Sequence, residues 1–336
     1  MKAFRLHDFG GPASLRLDDL PDPRPGPGQV LLRMRAASLN HRDLRIARGE
    51  HPGLALPLVP VSDGVGEVAA VGPGVTRVAV GERVAGTFFQ RWLAGAFRED
   101  LVRSALGGDV DGVLAEYVVL SEEGLVHVPE HLSDAEAATL PCAALTAWNA
   151  LIAQGGLTPG ETVLTLGTGG VSIFALQFAR LAGARVILTS SSDAKLERAR
   201  ELGASDTINY RATPDWDRRV LELTDGAGVD HVVEVGGIDT FARSVRALRL
   251  AGRISLIGVL SGGGAVDLGL LHRRRVHLQG INVGSREIFE AMSRAVALHG
   301  LRPLVDRVFG FEEAPAALQY LQSGAHFGKV VLQFRA

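Results

Sequence analysis

Residues 167–172 read Gly-Thr-Gly-Gly-Val-Ser, and they sit between an apolar run, 162–166, and a helical pattern over 171–181. Gly167, Gly169 and Gly170, with Thr168 and Val171 beside them, let the backbone turn sharply and approach a ligand closely. A helix that opens at such a turn presents free N–H groups and the positive end of its dipole, so the group it suits is a pyrophosphate. A second apolar run, 185–189, completes the strand–turn–helix–strand layout of a dinucleotide site. Ser172 stands where the G-x-G-x-x-G pattern has its third glycine, and its small side chain still permits close packing of helix on strand. If the dinucleotide carries nicotinamide, the chemistry is hydride transfer.

The end of the second strand bears on which nicotinamide cofactor fits. Sites selective for NAD usually carry an acid there to bond the ribose 2′-hydroxyl. Here the segment is Thr189-Ser190-Ser191-Ser192, and the first acid, Asp193, opens the following helix. The serine hydroxyls, that helix N-terminus and Lys195 one turn on make a donor set for a 2′-phosphate, and Tyr210 and Arg211 after the third strand complete it. These residues predict NADP(H). Ser192 or Asp193 acting as a helix cap is compatible with that role, because capping and phosphate binding use the same helix end.

The elements that must position these groups follow from periodicity. The first ~120 residues are predicted to be β-rich, with runs at 30–35, 64–71, 83–85 and 114–120 separated by Pro/Gly turns, and one short helix at 40–47. Ser133-Asp134-Ala135-Glu136 has capping-box spacing before an Ala-rich helix. Strands at 162–166, 185–189, 207–208, 231–235, 253–259 and 277–281 then alternate with helices at 171–181, 193–202, 215–224 and 240–248. Such alternation means an α/β fold, a doubly wound parallel sheet with helices on both faces. Helices at 286–299 and 313–321 and strands near 308 and at 329–334 close the chain. Composition is ordinary for globular proteins, with 46% hydrophobic and 21% charged residues in 336. A net charge of -2 gives no reason to expect a nucleic-acid or membrane partner, and the basic run His272-Arg273-Arg274-Arg275 reads as a solvated lead-in to a strand or a contact at a dimer edge. Cys142 is the single cysteine, which excludes an internal disulfide and any zinc site built from several cysteines. No apolar h-region opens the chain and no apolar stretch reaches the ~18 residues of a membrane span. The expectation is a soluble cytoplasmic protein acting on a small molecule.

With these motifs the chain resembles the medium-chain dehydrogenase/reductase superfamily over essentially its full length. The resemblance rests on Leu-Gly-Thr-Gly-Gly-Val-Ser (166–172), Leu-Pro-Cys-Ala-Ala-Leu-Thr-Ala-Trp-Asn-Ala-Leu (140–151) and the terminal Phe-Gly-Lys-Val-Val-Leu (327–332). Within the superfamily it is similar to the zinc-independent quinone oxidoreductase and alcohol dehydrogenase-like branch. The resemblance implies a GroES-like β-rich catalytic domain over 1–125, a Rossmann NADP-binding domain over 126–265, and a segment 266–336 that adds Rossmann strands and returns to the catalytic domain. It implies an active site in a cleft between domains and a homodimer joined edge to edge through the 253–259 strand or the one after it. It also implies that His41 contacts a cofactor phosphate, that Thr146 touches the nicotinamide, and that Val283-Gly284-Ser285 and Phe327-Gly328-Lys329 close over the ring. Gly236, Gly237, Gly258 and Val259 lie at strand C-termini, where ligands collect in open α/β sheets.

Zinc-dependent members hold their metal through a Cys, the His of a Gly-His-Glu motif and a second Cys. The corresponding positions here are Asn40, Ser62 (in Val61-Ser62-Asp63) and Cys142, and the loop over 88–112 has no cysteine. A thiolate, a serine and an amide make a poor zinc site; a substitute set of His41, Asp63 and Cys142 is the alternative. The resemblance therefore implies no catalytic metal. Without a Lewis acid, hydride delivery to an electron-poor carbon of a quinone or enone asks least of the protein, since the developing enolate needs only hydrogen-bond donors and a proton source. Asn40 is the first candidate to orient the nicotinamide or a substrate carbonyl, because an amide both donates and accepts. Arg42 would stabilise an enolate oxygen or pair with Asp43 or Asp63, and Asp43 would fix its neighbours. Phe88, Phe89 and Trp92 would line an apolar substrate pocket or pack the loop. Two other readings remain: an alcohol dehydrogenase or carbonyl reductase, with or without zinc, and a non-catalytic NADPH-binding protein.

Overall fold

The computed structural model describes residues 1–51 and 53–335. The chain divides into two units, Met1–Leu145 with Val283–Ala336, and Thr146–Asn282. The first crossover falls later than the expected 125/126, and the second, after Asn282, lies inside the 266–336 segment expected to add Rossmann strands before it returns. The first moves because the Ser133–Ala144 region packs on the strands of the first unit, with Ser133 accepting from the Glu136 N–H and the Glu136 carboxylate accepting from the Ser133 N–H at 2.8 Å. The Rossmann strand that this segment adds is His277–Gly280.

Thr146–Asn282 is built on six parallel strands in the order Asp206–Asn209, Arg185–Ser190, Thr162–Leu166, Val229–Glu234, Leu248–Leu256, His277–Gly280. The order reverses between Thr162–Leu166 and Val229–Glu234, which is the Rossmann switch point. The Thr162–Leu166 strand is buried beyond its first residue, and the Gly170–Leu181 helix that follows buries Ile173, Phe174, Leu176 and Phe178. Phe174 stacks on Phe178, which meets Trp148 edge-on at 5.3 Å.

Two sequence expectations are corrected here. The strand expected at 253–259 runs over Leu248–Leu256, because Leu248 leaves the preceding helix to pair with Val229. The helical pattern to 248 therefore stops at Ala247. The basic run is the last turn of a helix, Leu268–Arg274, with Arg275 as its left-handed C-cap. Cations suit that position because they complement the negative end of the helix dipole.

The first unit carries an antiparallel hairpin, Lys2–Leu6 with Leu15–Asp19, which periodicity did not reveal. Its main sheet has Val305–Gly310, Lys329–Gln333, Gln29–Leu39, Asp63–Val71, Arg83–Gly86 and Leu125–His127 in sequence, with Tyr117–Ser121 also paired to Gln29–Leu39. The C-terminal strand Lys329–Gln333 lies antiparallel on Gln29–Leu39 in the register Val330 to Leu39. That pairing brings the two ends of the chain together at one site. The helix His41–Ala47 begins immediately after the long strand, with Asn40 as its N-cap residue. Among the described residues no helix is long and apolar enough to cross a membrane.

Candidate functional site

In Thr146–Asn282 the glycine turn has the conformation its sequence demands. Gly167 has φ +76° and its N–H bonds the Thr189 carbonyl at 2.8 Å, tying the turn to the neighbouring strand end. Gly169 precedes the helix in extended conformation. The Ser172 hydroxyl donates to the Leu166 carbonyl at 2.6 Å, so the residue in the third-glycine position pins helix to strand with a hydrogen bond. At the end of the next strand Ser190 is buried and Ser192 caps the Asp193–Glu201 helix, accepting from the Lys195 N–H. The Ser190 carbonyl accepts from the Tyr210 N–H at 3.0 Å, which brings the third-strand segment to the serines. Asp193 is taken by the Asn209 amide at 2.7 Å. Gly236, Gly258 and Val259 follow the ends of the Val229–Glu234 and Leu248–Leu256 strands, and Thr146 is buried at the start of the unit.

The first unit holds a buried polar cluster. The Lys329 ammonium is 3% exposed and donates to the Leu39 carbonyl at 2.7 Å and to Asn40 Oδ1 at 2.6 Å. The Asn40 N–H donates to Asp43 Oδ2 at 2.7 Å, while Asp43 Oδ1 lies 3.8 Å from Arg42 Nη1. Asp63 accepts from the Ser62 hydroxyl at 2.7 Å and from the Cys142 N–H at 3.1 Å. Burial pushes the Asp43 carboxyl up to about 6, against the pull of the Arg42 guanidinium. Burial likewise raises Asp63, opposed first by the Lys329 charge, and lowers Lys329, opposed first by Asp63. Each group opposes the desolvation penalty of the other, as buried charges must. Val61 sits in the left-handed region, φ +74°, a conformation that costs a β-branched residue on the order of 1–3 kcal/mol. It is held there by a bond from the Val113 N–H to its carbonyl at 2.9 Å, and by Gly107 and Gly112, where a Cβ would lie 2.5 and 2.1 Å from Val61 backbone atoms. Backbone strain is thus spent at the residue that leads directly into Ser62 and Asp63.

Arg42 reaches from its helix to the loop over 88–112: Nη1 donates to the Leu106 carbonyl at 2.9 Å and the guanidinium lies 4.5 Å from the Phe88 ring centroid. Phe88, Phe89 and Trp92 are buried and pack with one another and with Phe97, at centroid distances of 4.5–6.1 Å. They form an aromatic cluster within the loop. Val283 is left-handed at φ +50°, Ser285 caps the Arg286–Leu298 helix, and the N–H groups of Arg286 and Glu287 bond the carbonyls of Trp92 and Leu93. The 283–285 segment and the aromatic loop are therefore one assembly. Phe327 is fully buried and His41 is exposed. Lys329, expected beside the cofactor, has its ammonium bonded to Asn40. Ser62 was expected only as a metal position, and Asp63 as a metal position or a partner of Arg42; their hydrogen bonds within the cluster had no local sequence signal.

Comparison with known proteins bears directly on this arrangement. The alcohol dehydrogenase GroES-like domain family matches residues 26–130 and the zinc-binding dehydrogenase family matches residues 170–297. A zinc-type alcohol dehydrogenase-like protein of Schizosaccharomyces pombe is 46% identical over 315 residues, 91% of each chain. The chain belongs to the medium-chain dehydrogenase/reductase superfamily. This oxidoreductase is also 36% identical to a quinone oxidoreductase of Pseudomonas aeruginosa over 275 residues, 81% of this chain and 78% of that one. A crystal structure of an NAD-dependent alcohol dehydrogenase superposes with TM-score 0.90 at 38% identity, covering 99% of both chains.

The names of these relatives raise the question of zinc. In this dehydrogenase/reductase the metal positions hold an amide already bonded to an ammonium, a hydroxyl already bonded to Asp63, and a thiol. Desolvation and the Asp63 charge push the Cys142 thiol above its ordinary range. Among the described residues no group of three His, Cys, Asp or Glu side chains is placed to hold a metal ion. The donor set does not fit zinc.

Asp43 generates a pH test. Its folded pKa lies above the unfolded value of 3.8, so the folded state binds the extra proton between those values, and that stability is lost as pH rises from roughly 4 through 6. Asp43→Asn does not titrate. Urea unfolding should show wild-type stability relative to D43N falling by about 2 kcal/mol from pH 4 to pH 7; a difference independent of pH would refute the assignment.

Proposed function

We propose that the protein is an NADP(H)-dependent, zinc-independent oxidoreductase that transfers a hydride to a small apolar quinone or α,β-unsaturated carbonyl compound. The observation that carries this reading is the Lys329–Asn40 bond: the position of a metal ligand is occupied by an amide held by a buried cation. Such a site orients an oxygen through hydrogen bonding and does not provide the strong Lewis acid that alcohol oxidation benefits from.

In this reading the Gly167–Val171 turn and the helix N-terminus hold the pyrophosphate, with His41 as a second phosphate contact. Ser190, Ser191, Lys195 and Tyr210 receive the 2′-phosphate. Thr146, Gly236, Gly258, Val259, Val283, Ser285 and Phe327 border the nicotinamide. The cofactor, when bound, supplies the hydride. Asn40 orients the substrate oxygen or the carboxamide of the ring. Asp43 fixes the Asn40 backbone and, with its raised pKa, keeps a protonated carboxyl available up to about pH 6. Lys329 fixes the Asn40 side chain. Arg42 serves by holding the Leu106 loop. The aromatic residues Phe88, Phe89 and Trp92 give that loop its rigidity and so shape the apolar side of the substrate site. A second copy of the chain pairs along the outer edge of His277–Gly280, where all four residues are exposed, and the protein works in the cytoplasm.

The cofactor assignment predicts that NADPH binds more tightly than NADH by at least about tenfold, roughly 1.4 kcal/mol, in a fluorescence titration, and that Ser191→Glu narrows the gap by repelling the 2′-phosphate; tighter binding of NADH would sink it. For the chemistry, protein purified without added zinc should reduce quinones or enones with NADPH while carrying far less than one equivalent of metal. One bound zinc with preferential alcohol oxidation would favour the alcohol dehydrogenase reading, and NADPH binding with no turnover on quinones, enones or aldehydes would favour a non-catalytic one. Light scattering should give twice the chain mass, and Leu278→Asp should shift it toward monomer; a monomeric wild type refutes the edge pairing.

A further inference from the structure

Glu234 closes the Val229–Glu234 strand and is completely buried. Its Oε1 accepts from the Gly236 N–H at 2.7 Å, the Gly237 N–H at 3.1 Å and the Thr240 hydroxyl at 2.7 Å, and its Oε2 accepts from the Ser244 hydroxyl. All four donors are neutral. The Glu234 backbone carbonyl accepts from the Ile257 and Gly258 N–H groups at 2.9 and 3.2 Å, and the Gly236 carbonyl accepts from the Ser261 N–H and hydroxyl at 2.9 and 3.0 Å. One residue therefore gathers the loops that leave two adjacent strands. The loops touch through glycines: a Cβ on Gly258 would lie 2.3 Å from the Val235 carbonyl oxygen, and one on Gly237, at φ +97°, 2.9 Å from Ser261 Oγ.

A fully buried carboxylate costs several kcal/mol unless its lone pairs are filled. Here they are filled by the Gly236 and Gly237 N–H groups of the loop and by Thr240 and Ser244 of the helix Ile238–Ala247 that follows, so the loop has one arrangement in which that cost is met. The loops lie at the C-terminal ends of parallel strands, one of them at the switch point, where ligands of this fold collect.

We propose that Glu234 is a positioning residue of the cofactor site: its carboxylate clamps the 235–240 and 257–261 loops into the form that receives the nicotinamide half of the cofactor. This rests on the NADP(H) reading above. Glu234→Gln keeps an oxygen for the three Oε1 donors and offers an N–H to Ser244, so it should keep the clamp. Glu234→Met has similar length and no acceptor. Thr240→Val removes a single donor and serves as the milder variant should E234M fail to fold.

The test is amide hydrogen exchange of the cofactor-free protein, read peptide by peptide, together with NADPH titration. Exchange in 235–240 and 257–261 should accelerate at least tenfold in E234M and severalfold in T240V, with the central strands unchanged. The NADPH Kd should rise at least tenfold in E234M and less in T240V. Glu234→Gln should stay within about threefold of wild type in both measurements. Wild-type loop exchange and wild-type Kd in E234M, or in T240V where E234M does not fold, overturn the proposal, as does a loss of protection spread evenly over the sheet with Kd unchanged. A wild-type protein that binds no NADPH overturns the cofactor reading instead, and the exchange data on the cofactor-free protein still decide whether the clamp exists.

Discussion

The buried ammonium of Lys329 is the interaction on which the first unit depends. A cation taken out of water must be met by acceptors, and it is met by the Leu39 carbonyl and Asn40 Oδ1. Those partners are 290 and 289 residues away in sequence. The contact exists because the C-terminal strand lies antiparallel on Gln29–Leu39, and it sets the amide of Asn40 with its oxygen toward the charge. The Asp43 and Asp63 carboxyls are in turn tuned by the same ammonium, each raised by burial and held down in part by Lys329. Removing one member would leave the others as uncompensated buried groups.

The two units solve the same electrostatic problem differently. Around Asn40 a cation and two acids share one interior, and strain at Val61 is tolerated to bring Ser62 and Asp63 to it. At Glu234 an acid is buried with neutral donors drawn from the loop after it and the helix that follows. In both, a polar side chain fixes backbone that a packed apolar core would leave free to choose among similar conformations. In both, the fixed backbone lies where the proposed chemistry needs it.

Much of this was legible in the sequence. The glycine turn, the serine run and the alternating strands and helices are local signals, since turn chemistry and periodicity act over a few residues. The helix after Asn40 and the capping box at Ser133 were readable for the same reason, and both are present. The N-terminal hairpin was missed, as was the true start of the Leu248–Leu256 strand, where pairing with Val229 overrides a helical pattern. The helix carrying His272–Arg274 was read as a lead-in to a strand because its sequence has no buried stripe; none of its residues is buried.

The sequence by itself determined the α/β architecture, the dinucleotide turn and the amide in place of a metal ligand, because each is a property of residue type and short spacing. Only the tertiary structure decided what those residues touch. It turned Lys329 toward Asn40, committed Arg42 to Leu106 and Phe88, sealed the aromatic residues into their loop, and made Glu234 the anchor of two strand ends. The reason is that burial and hydrogen-bond partnership are set by strand register between distant segments, and no local pattern encodes the energy of a charge whose partner lies almost 300 residues away.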